Sequence, residues 1–267
     1  MQTITRQQLR EHRVPKGALT IWWLGQAGFV LKSPGGRLAV IDPYLSNSCK
    51  AIGDPLGLNF DRLVPPPLTA ADLVPCDLYA MTHSHGDHLD PETLAAYRAA
   101  GGVGPYLVPA ETAERLTALG VPPEQVVVTW PNKTHTVGDL RVRATIAIPF
   151  AEDDLTHVGY LVSVENGPTV YLTGDTAYHE ILAIAAAPHK PDVLVAVING
   201  AFRNLNPAEA ARLARLLDVG QAIPCHHDLF PDNSLPPQLF RTSLIVEGIG
   251  DRYCQLEQGV SQTFFRK

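Results

Sequence analysis

The chain has 267 residues, with 27 acidic against 21 basic side chains and a formal net charge of -6. That balance excludes a broad, sequence-independent grip on nucleic acid, which needs clustered positive charge, but not an anion held at a bound cation. With 45% hydrophobic residues there is material for one large domain over residues 1–267, and no apolar stretch reaches membrane-spanning length.

Cys49, Cys76, Cys225 and Cys254 form no C-x-x-C pair, and the first ten residues contain no apolar leader core. Reduced thiols and a cytoplasmic location are therefore expected.

In chain order, residues 5–12 read as a short polar helix stopped by Pro15 and Gly17. Three β-rich runs follow at 18–24, 28–32 and 37–41, the last two joined by Ser33-Pro34-Gly35-Gly36, so an antiparallel sheet starts here. The third run ends in Asp42-Pro43. Asp42 reads either as a turn aspartate or as a carboxylate that orients a metal-bound histidine. Residues 45–75 form a long irregular loop in which Lys50 and Arg62 are candidate contacts for an anionic substrate.

Residues 77–82 read as a buried strand that runs into a loop carrying His83, His85, Asp87 and His88, an H-x-H-x-D-H spacing. Imidazole and carboxylate together suit borderline divalent ions such as zinc, manganese or iron. Two histidines one residue apart can hold one ion while the Asp-His pair holds a second. Beyond the loop, Asp90 and Pro91 start a helix over 91–100 that Gly101 stops. A strand at 106–108, a helix at 110–119 and a strand at 126–129 place helices outside a sheet. Strands at 134–137 and 140–147 turn at Gly138-Asp139, and His135 within them reads as structural.

A polar loop at 151–157 delivers His157 to the start of a strand at 158–164, and Asn166-Gly167 turns the chain into 169–172. That strand runs out at Thr173-Gly174-Asp175, where Asp175 is either a turn residue or a carboxylate bridging two ions. A helix at 178–187, an apolar strand at 192–198 and a helix at 208–217 capped by Asn206-Pro207 repeat the helix-on-sheet pattern. A short strand at 221–224 opens onto Cys225-His226-His227-Asp228, one histidine of which is expected to be a ligand. The tail is expected to hold a helix at 237–244 and a final strand at 252–256.

The order Asp42, Thr82-His83-Ser84-His85-Gly86-Asp87-His88, His157, Thr173-Gly174-Asp175 and His226 resembles the metallo-β-lactamase superfamily. Trp23-Leu24-Gly25-Gln26-Ala27-Gly28, Asp42-Pro43-Tyr44-Leu45-Ser46, His157-Val158-Gly159-Tyr160 and Pro224-Cys225-His226-His227-Asp228-Leu229-Phe230 are similar to its L-ascorbate-6-phosphate lactonase branch. The resemblance implies an α/β (α+β) fold, a four-layer αββα sandwich with the metal site at one edge of two sheets. It makes His83, His85 and His157 ligands of one metal and Asp87, His88 and His226 ligands of the other, with Asp175 between them.

One or two divalent ions, zinc or manganese with iron as a third option, are the expected cofactors. A metal-bridged hydroxide then attacks a lactone or ester of a phosphorylated or otherwise anionic sugar-like small molecule. Asp87 is expected to orient the hydroxide or shuttle its proton. His227 or Tyr160 is expected to stabilise an oxyanion or protonate the leaving group, and Lys50, Arg62 and Arg203 to contact the anion. A phosphodiesterase on the same residues, an iron-dependent redox enzyme and a non-catalytic metal-binding scaffold are the alternatives.

Overall fold

All eight residues of the first long strand, Ala18–Gly25, are buried, which requires cover on both faces of its sheet. A computed structural model describes residues 2–149 and 155–267 and shows how that cover is built. Helix α1 (Arg6–Glu11) precedes strands β1 (Ala18–Gly25), β2 (Gly28–Lys32) and β3 (Leu38–Ile41). Then come α2 (Cys49–Gly53), β4 (Leu78–Ala80), α3 (Pro91–Ala99), β5 (Tyr106–Val108), α4 (Ala110–Ala118) and β6 (Val126–Val128). The second half contains β7 (Thr134–Val137), β8 (Leu140–Ile146), β9 (Val158–Val164), β10 (Thr169–Leu172) and α5 (Glu180–Ala186). It continues with β11 (Val193–Val197), α6 (Pro207–Leu216), β12 (Gln221–Cys225), α7 (Pro237–Val246) and β13 (Ser261–Phe265).

The strands form a seven-stranded sheet, in the order β13-β1-β2-β3-β4-β5-β6, and a six-stranded sheet, β12-β11-β10-β9-β8-β7. Each sheet is antiparallel in one part and parallel in the other, with the changes at β3/β4 and β10/β11. Alternation along β1 explains the layering. Leu19, Ile21 and Trp23 join the main core with Val142, Tyr160 and Val195 of the other sheet. Trp22 and Leu24 point the other way and pack with Leu9, Leu94, Tyr97 and Leu116 from α1, α3 and α4. The outer face of the six-stranded sheet is covered by Leu182, Ala210, Leu213 and Phe240 of α5, α6 and α7. Helices, sheet, sheet and helices are thus stacked as four layers, with the central strands of each sheet covered on both faces and the edge strands β6, β7 and β13 partly open to solvent.

Local chemistry sets the helix starts. Asp90 accepts from Glu92 N, with Pro91 in the first turn, and Asn206 with Glu209 forms a reciprocal cap ahead of Pro207. Two expectations are corrected. The irregular stretch 45–75 contains α2 and two 3-10 turns, at Asp54–Leu56 and Ala70–Leu73. The final strand is β13, not 252–256. Around Tyr253 there is only an isolated bridge to Ala222, whereas β13 pairs antiparallel with β1 over five residues. The four cysteines are free. Among the described residues no helix is long and apolar enough to cross a membrane.

Tyr160 belongs to this framework, not to the chemistry expected of it. Its ring is fully buried between the sheets, and its hydroxyl donates to Met81 O at 2.8 Å and Leu107 O at 3.1 Å. Burial holds the phenol far above its ordinary pKa. It ties the six-stranded sheet to β4 and β5, just behind the histidine loop. Tyr160→Phe is expected to lower unfolding stability by about 1 kcal/mol in urea titration while leaving turnover per folded, metal-restored molecule unchanged. A large fall in turnover at unaltered stability would return the hydroxyl to the site.

Candidate metal centre

Parallel strands deliver loops to one edge, and ligand-bearing side chains gather there. Asp42 follows β3, the segment from His83 to His88 follows β4, Asp175 follows β10 and His226 follows β12. His157 precedes β9, whose antiparallel pairing with β10 starts it at the same edge. Residues 151–154 of the polar loop expected ahead of it lie outside the described residues. Asp42 and His226 adopt φ values of 45° and 60°, left-handed conformations that cost L residues energy and persist where the surroundings impose them. Around His226 that constraint is a bond from its backbone N to Gln26 O at 2.9 Å.

The side chains converge as two triads. Donor atoms of His83, His85 and His157 lie within 4.8 Å of one another, as do those of Asp87, His88 and His226. Asp175 stands between them, forming a third group with His83 and His88. Its Oδ1 is 3.3 Å from His88 Nε2 and its Oδ2 is 3.6 Å from His226 Nε2. His226 Nε2 is in turn 3.2 Å from Asp87 Oδ2.

The residues fit a pair of divalent ions. His83 Nε2 is buried without a hydrogen-bond partner, and His88 Nε2 and Asp175 Oδ1 have only each other, 3.3 Å apart without the alignment of a good hydrogen bond; such atoms are costly unless something else satisfies them. The opposite ring nitrogens are occupied. His88 Nδ1 is 2.8 Å from Asp42 Oδ2, His157 Nδ1 is 3.1 Å from Asp175 O and His83 Nδ1 is 3.0 Å from Thr82 Oγ1. Asp42 also accepts from Thr82 N at 2.7 Å and Thr82 Oγ1 at 2.6 Å, so it has the orienting position expected of it.

Electrostatics point the same way. Burial opposes charge on Asp87 and Asp175, yet His88 and His226 outweigh it and hold both carboxyls below the usual range. Burial likewise opposes charge on His88 and His226, and Asp175 and Asp87 outweigh it, raising both imidazoles. His83 is the opposite case. Burial, then His88 and His157, push it well below its ordinary value, which favours the neutral form that a metal needs.

Sequence reasoning missed the residues that hold these ligands in place. Gln26 is fully buried, and its Nε2 donates to Asp87 Oδ2 at 2.8 Å and lies 3.0 Å from His226 Nε2. Asn204 Nδ2 donates to Asp175 Oδ2 at 2.6 Å. Gln26 sits within the Trp23-to-Gly28 motif, so its signal was present without a role attached.

Other expected roles are not met. His227 stacks on Trp23, with ring centroids 4.8 Å apart, pairs through Nδ1 with Asp228 Oδ2 at 2.9 Å and does not line the cleft beside the ligands. Lys50 is exposed and paired with Asp61 at 2.8 Å. Arg62 donates to the carbonyls of Val64, Tyr44 and Ser46 and packs over the Tyr44 ring. It holds the loop together. Arg203 is exposed, and none of these three cations lines the cleft. Arg115 of α4 does, with Nη1 donating to Ser84 O at 3.3 Å.

Residues 37–227 match the family model described as the beta-lactamase superfamily domain. The chain belongs to the metallo-β-lactamase superfamily. Among its relatives, a UPF0173 metal-dependent hydrolase of Myxococcus xanthus is 34% identical over 81% of this chain and 73% of that protein. A protein of Salmonella heidelberg named "Probable L-ascorbate-6-phosphate lactonase" is 26% identical over 88% of this chain and 77% of its own length. Among solved structures, a metallo hydrolase of Ignicoccus hospitalis shares the fold with a TM-score of 0.72 at 21% identity, covering 94% of this chain and all of that one. An isothiocyanate hydrolase from Delia radicum gut bacteria does so with 0.73 at 17% identity, covering 93% of this chain and 100% of that one. The superfamily member is a metal-dependent hydrolase, and its His and Asp cluster can hold metal.

Two outcomes are expected of this centre. Asp42→Ala is expected to weaken metal binding by about 10- to 100-fold in a chelator competition, because His88 loses its anchor. In the metal-free protein, Asp87 and Asp175 stabilise the fold above the ordinary carboxylate range, and that contribution is lost as pH falls. His88 and His226 contribute fully below the ordinary histidine value, and theirs is lost as pH rises through the raised values. Metal takes those histidines as neutral ligands, so the melting-temperature gap between metal-loaded and metal-free protein is expected to widen as pH rises from the ordinary histidine value through the raised values of His88 and His226. A constant gap would contradict proton and metal sharing these ligands.

Proposed function

We propose that this metal-dependent hydrolase opens a lactone or ester at the shared edge of the two triads. What carries the reading is the placement of Asp175 between the triads, with His85, Asp87 and Asp175 all lining one cleft. When bound there, two divalent ions make water acidic enough to attack near neutral pH and polarise the carbonyl under attack.

The chain's own residues supply position and proton transfer. Gln26 and His226 fix the Asp87 carboxylate, whose side chain is 14% exposed towards the cleft. Asp87 holds the attacking water by one proton, accepts that proton as the C–O bond forms, and returns it to the alkoxide as the ring or ester C–O bond breaks. The products are an alcohol and a carboxylic acid, which keeps the water's second proton until it passes to solvent as the acid leaves as carboxylate. Asn204 and His157 fix Asp175, the first through its side chain and the second through its backbone carbonyl. The lactone named for the Salmonella relative supports the reaction class. An anionic substrate lacks support from Lys50, Arg62 or Arg203, which stand outside the cleft.

The test is chelator-treated protein with zinc, manganese or iron restored one at a time, offered an unphosphorylated lactone, a phosphorylated sugar lactone and an activated phosphodiester. Chelator-reversible lactone opening that disappears in Asp175→Ala is the expected result. Cleavage of the phosphodiester alone would replace the lactonase reading with a phosphodiesterase, and no turnover with any metal would overturn both.

A further inference from the structure

The cleft holds about 320 Å³, the liquid volume of about ten water molecules at roughly 30 Å³ each. His85, Asp87, Asp175, Arg115 and Asn233 give the cleft its polar lining, and a hydrocarbon wall comes from Ile52 of α2, Leu56 of the adjoining 3-10 turn, Phe60, Phe202 and Phe230. Phe60 and Phe230 are buried, but Ile52, Leu56 and Phe202 are 49%, 65% and 41% exposed. Single exposed apolar side chains are ordinary, whereas several converging on the mouth of one reactive cleft mark a binding surface.

The wall is built as a unit. The Phe60 ring lies 5.5 Å from Phe230 and 6.4 Å from Phe202, centroid to centroid. Phe202 reaches it from a backbone φ of 51°, a conformation a bulky side chain adopts only under constraint. The wall also abuts the ligand loop. A Cβ on Gly86 would come within 2.7 Å of Ile52 Cδ1, so apolar surface begins beside His85 and Asp87. Among the described residues Arg115 is the one Lys or Arg in the lining, with Nη1 turned to Ser84 O. A phosphate laid on Ile52, Leu56, Phe60 and Phe202 themselves would lose hydration without gaining a partner from those side chains.

The geometry points to a substrate whose group beyond the scissile bond is an aliphatic or aromatic hydrocarbon, seated on Ile52, Leu56, Phe60 and Phe202. This rests on the hydrolase reading above and narrows its substrate to hydrophobic lactones or esters. A phosphorylated sugar lactone would bring no surface that these side chains recognise.

The test uses metal-restored protein and γ-lactones whose alkyl substituent grows from none to six carbons, with a phosphorylated sugar lactone for comparison. Binding of n-alkyl hydroxamates of matching length, measured by calorimetry, gives a readout independent of turnover. Expected is a rise in kcat/KM and in affinity of about fourfold per methylene until the cleft is filled. The slope should flatten in Leu56→Ser and Phe202→Ser, whose side chains are partly exposed at the mouth. Lactone opening with no chain-length dependence, or with preference for the phosphorylated lactone, would overturn the hydrocarbon site and leave the hydrolase reading standing. A climbing hydroxamate affinity that drops in both variants, without turnover of any lactone, would uphold the site and sink the reaction. Flat affinity and no turnover would remove both.

Discussion

The fold is organised around a concentration of ionisable groups that water alone does not satisfy. His83, His88, His157, Asp175 and His226 are all buried at one sheet edge. Taking isolated charges out of water costs far more than a single hydrogen bond returns, so such groups persist only when paired or bound to metal. Pairing is incomplete here. His83 Nε2 has no partner, and Asp175 Oδ1 and His88 Nε2 meet only each other in poor hydrogen-bond geometry, so the protein's own hydrogen bonds orient the cluster without completing it.

That requirement explains the shape of the sandwich. Antiparallel strands bring Gln26, in the β1–β2 turn, and His157, at the start of β9, to the edge where the parallel strands β3, β4, β10 and β12 deliver the other ligands. Val158 N donates to Thr82 O at 3.0 Å, stitching the two sheets together beside the site. Tyr160 reinforces the same seam from inside the core. The ligands therefore rest on short loops clamped by rigid strands, which keeps them within reach of one another.

Much of the centre was legible because its parts are local. His83 to His88 declare themselves by spacing, and Asp42, His157 and Asp175 each stand where an apolar run meets a loop. The resemblance then joined them into one set. What sequence concealed acts over distance and through residue types with no ligand signature: Gln26 reaches Asp87 and His226, and Asn204 reaches Asp175. Arg62 reads from sequence as a candidate anion contact because a cation in a long loop looks available, whereas this one satisfies the carbonyls of a segment without strand partners. The β13 strand escaped notice because it is a largely solvent-facing edge whose partner, β1, lies at the other end of the chain. Gly53 and Pro55 hid α2 by resembling turn signals, yet α2 supplies Ile52 to the cleft wall.

The central claim is that two metal sites share Asp175. A crystal of metal-loaded protein, measured for anomalous scattering above and below the absorption edge of the restored metal, tests it most directly. The account predicts two peaks, one among His83, His85 and His157 and one among Asp87, His88 and His226, both in contact with Asp175. A single peak, or two peaks of which one lies away from Asp175, would contradict it.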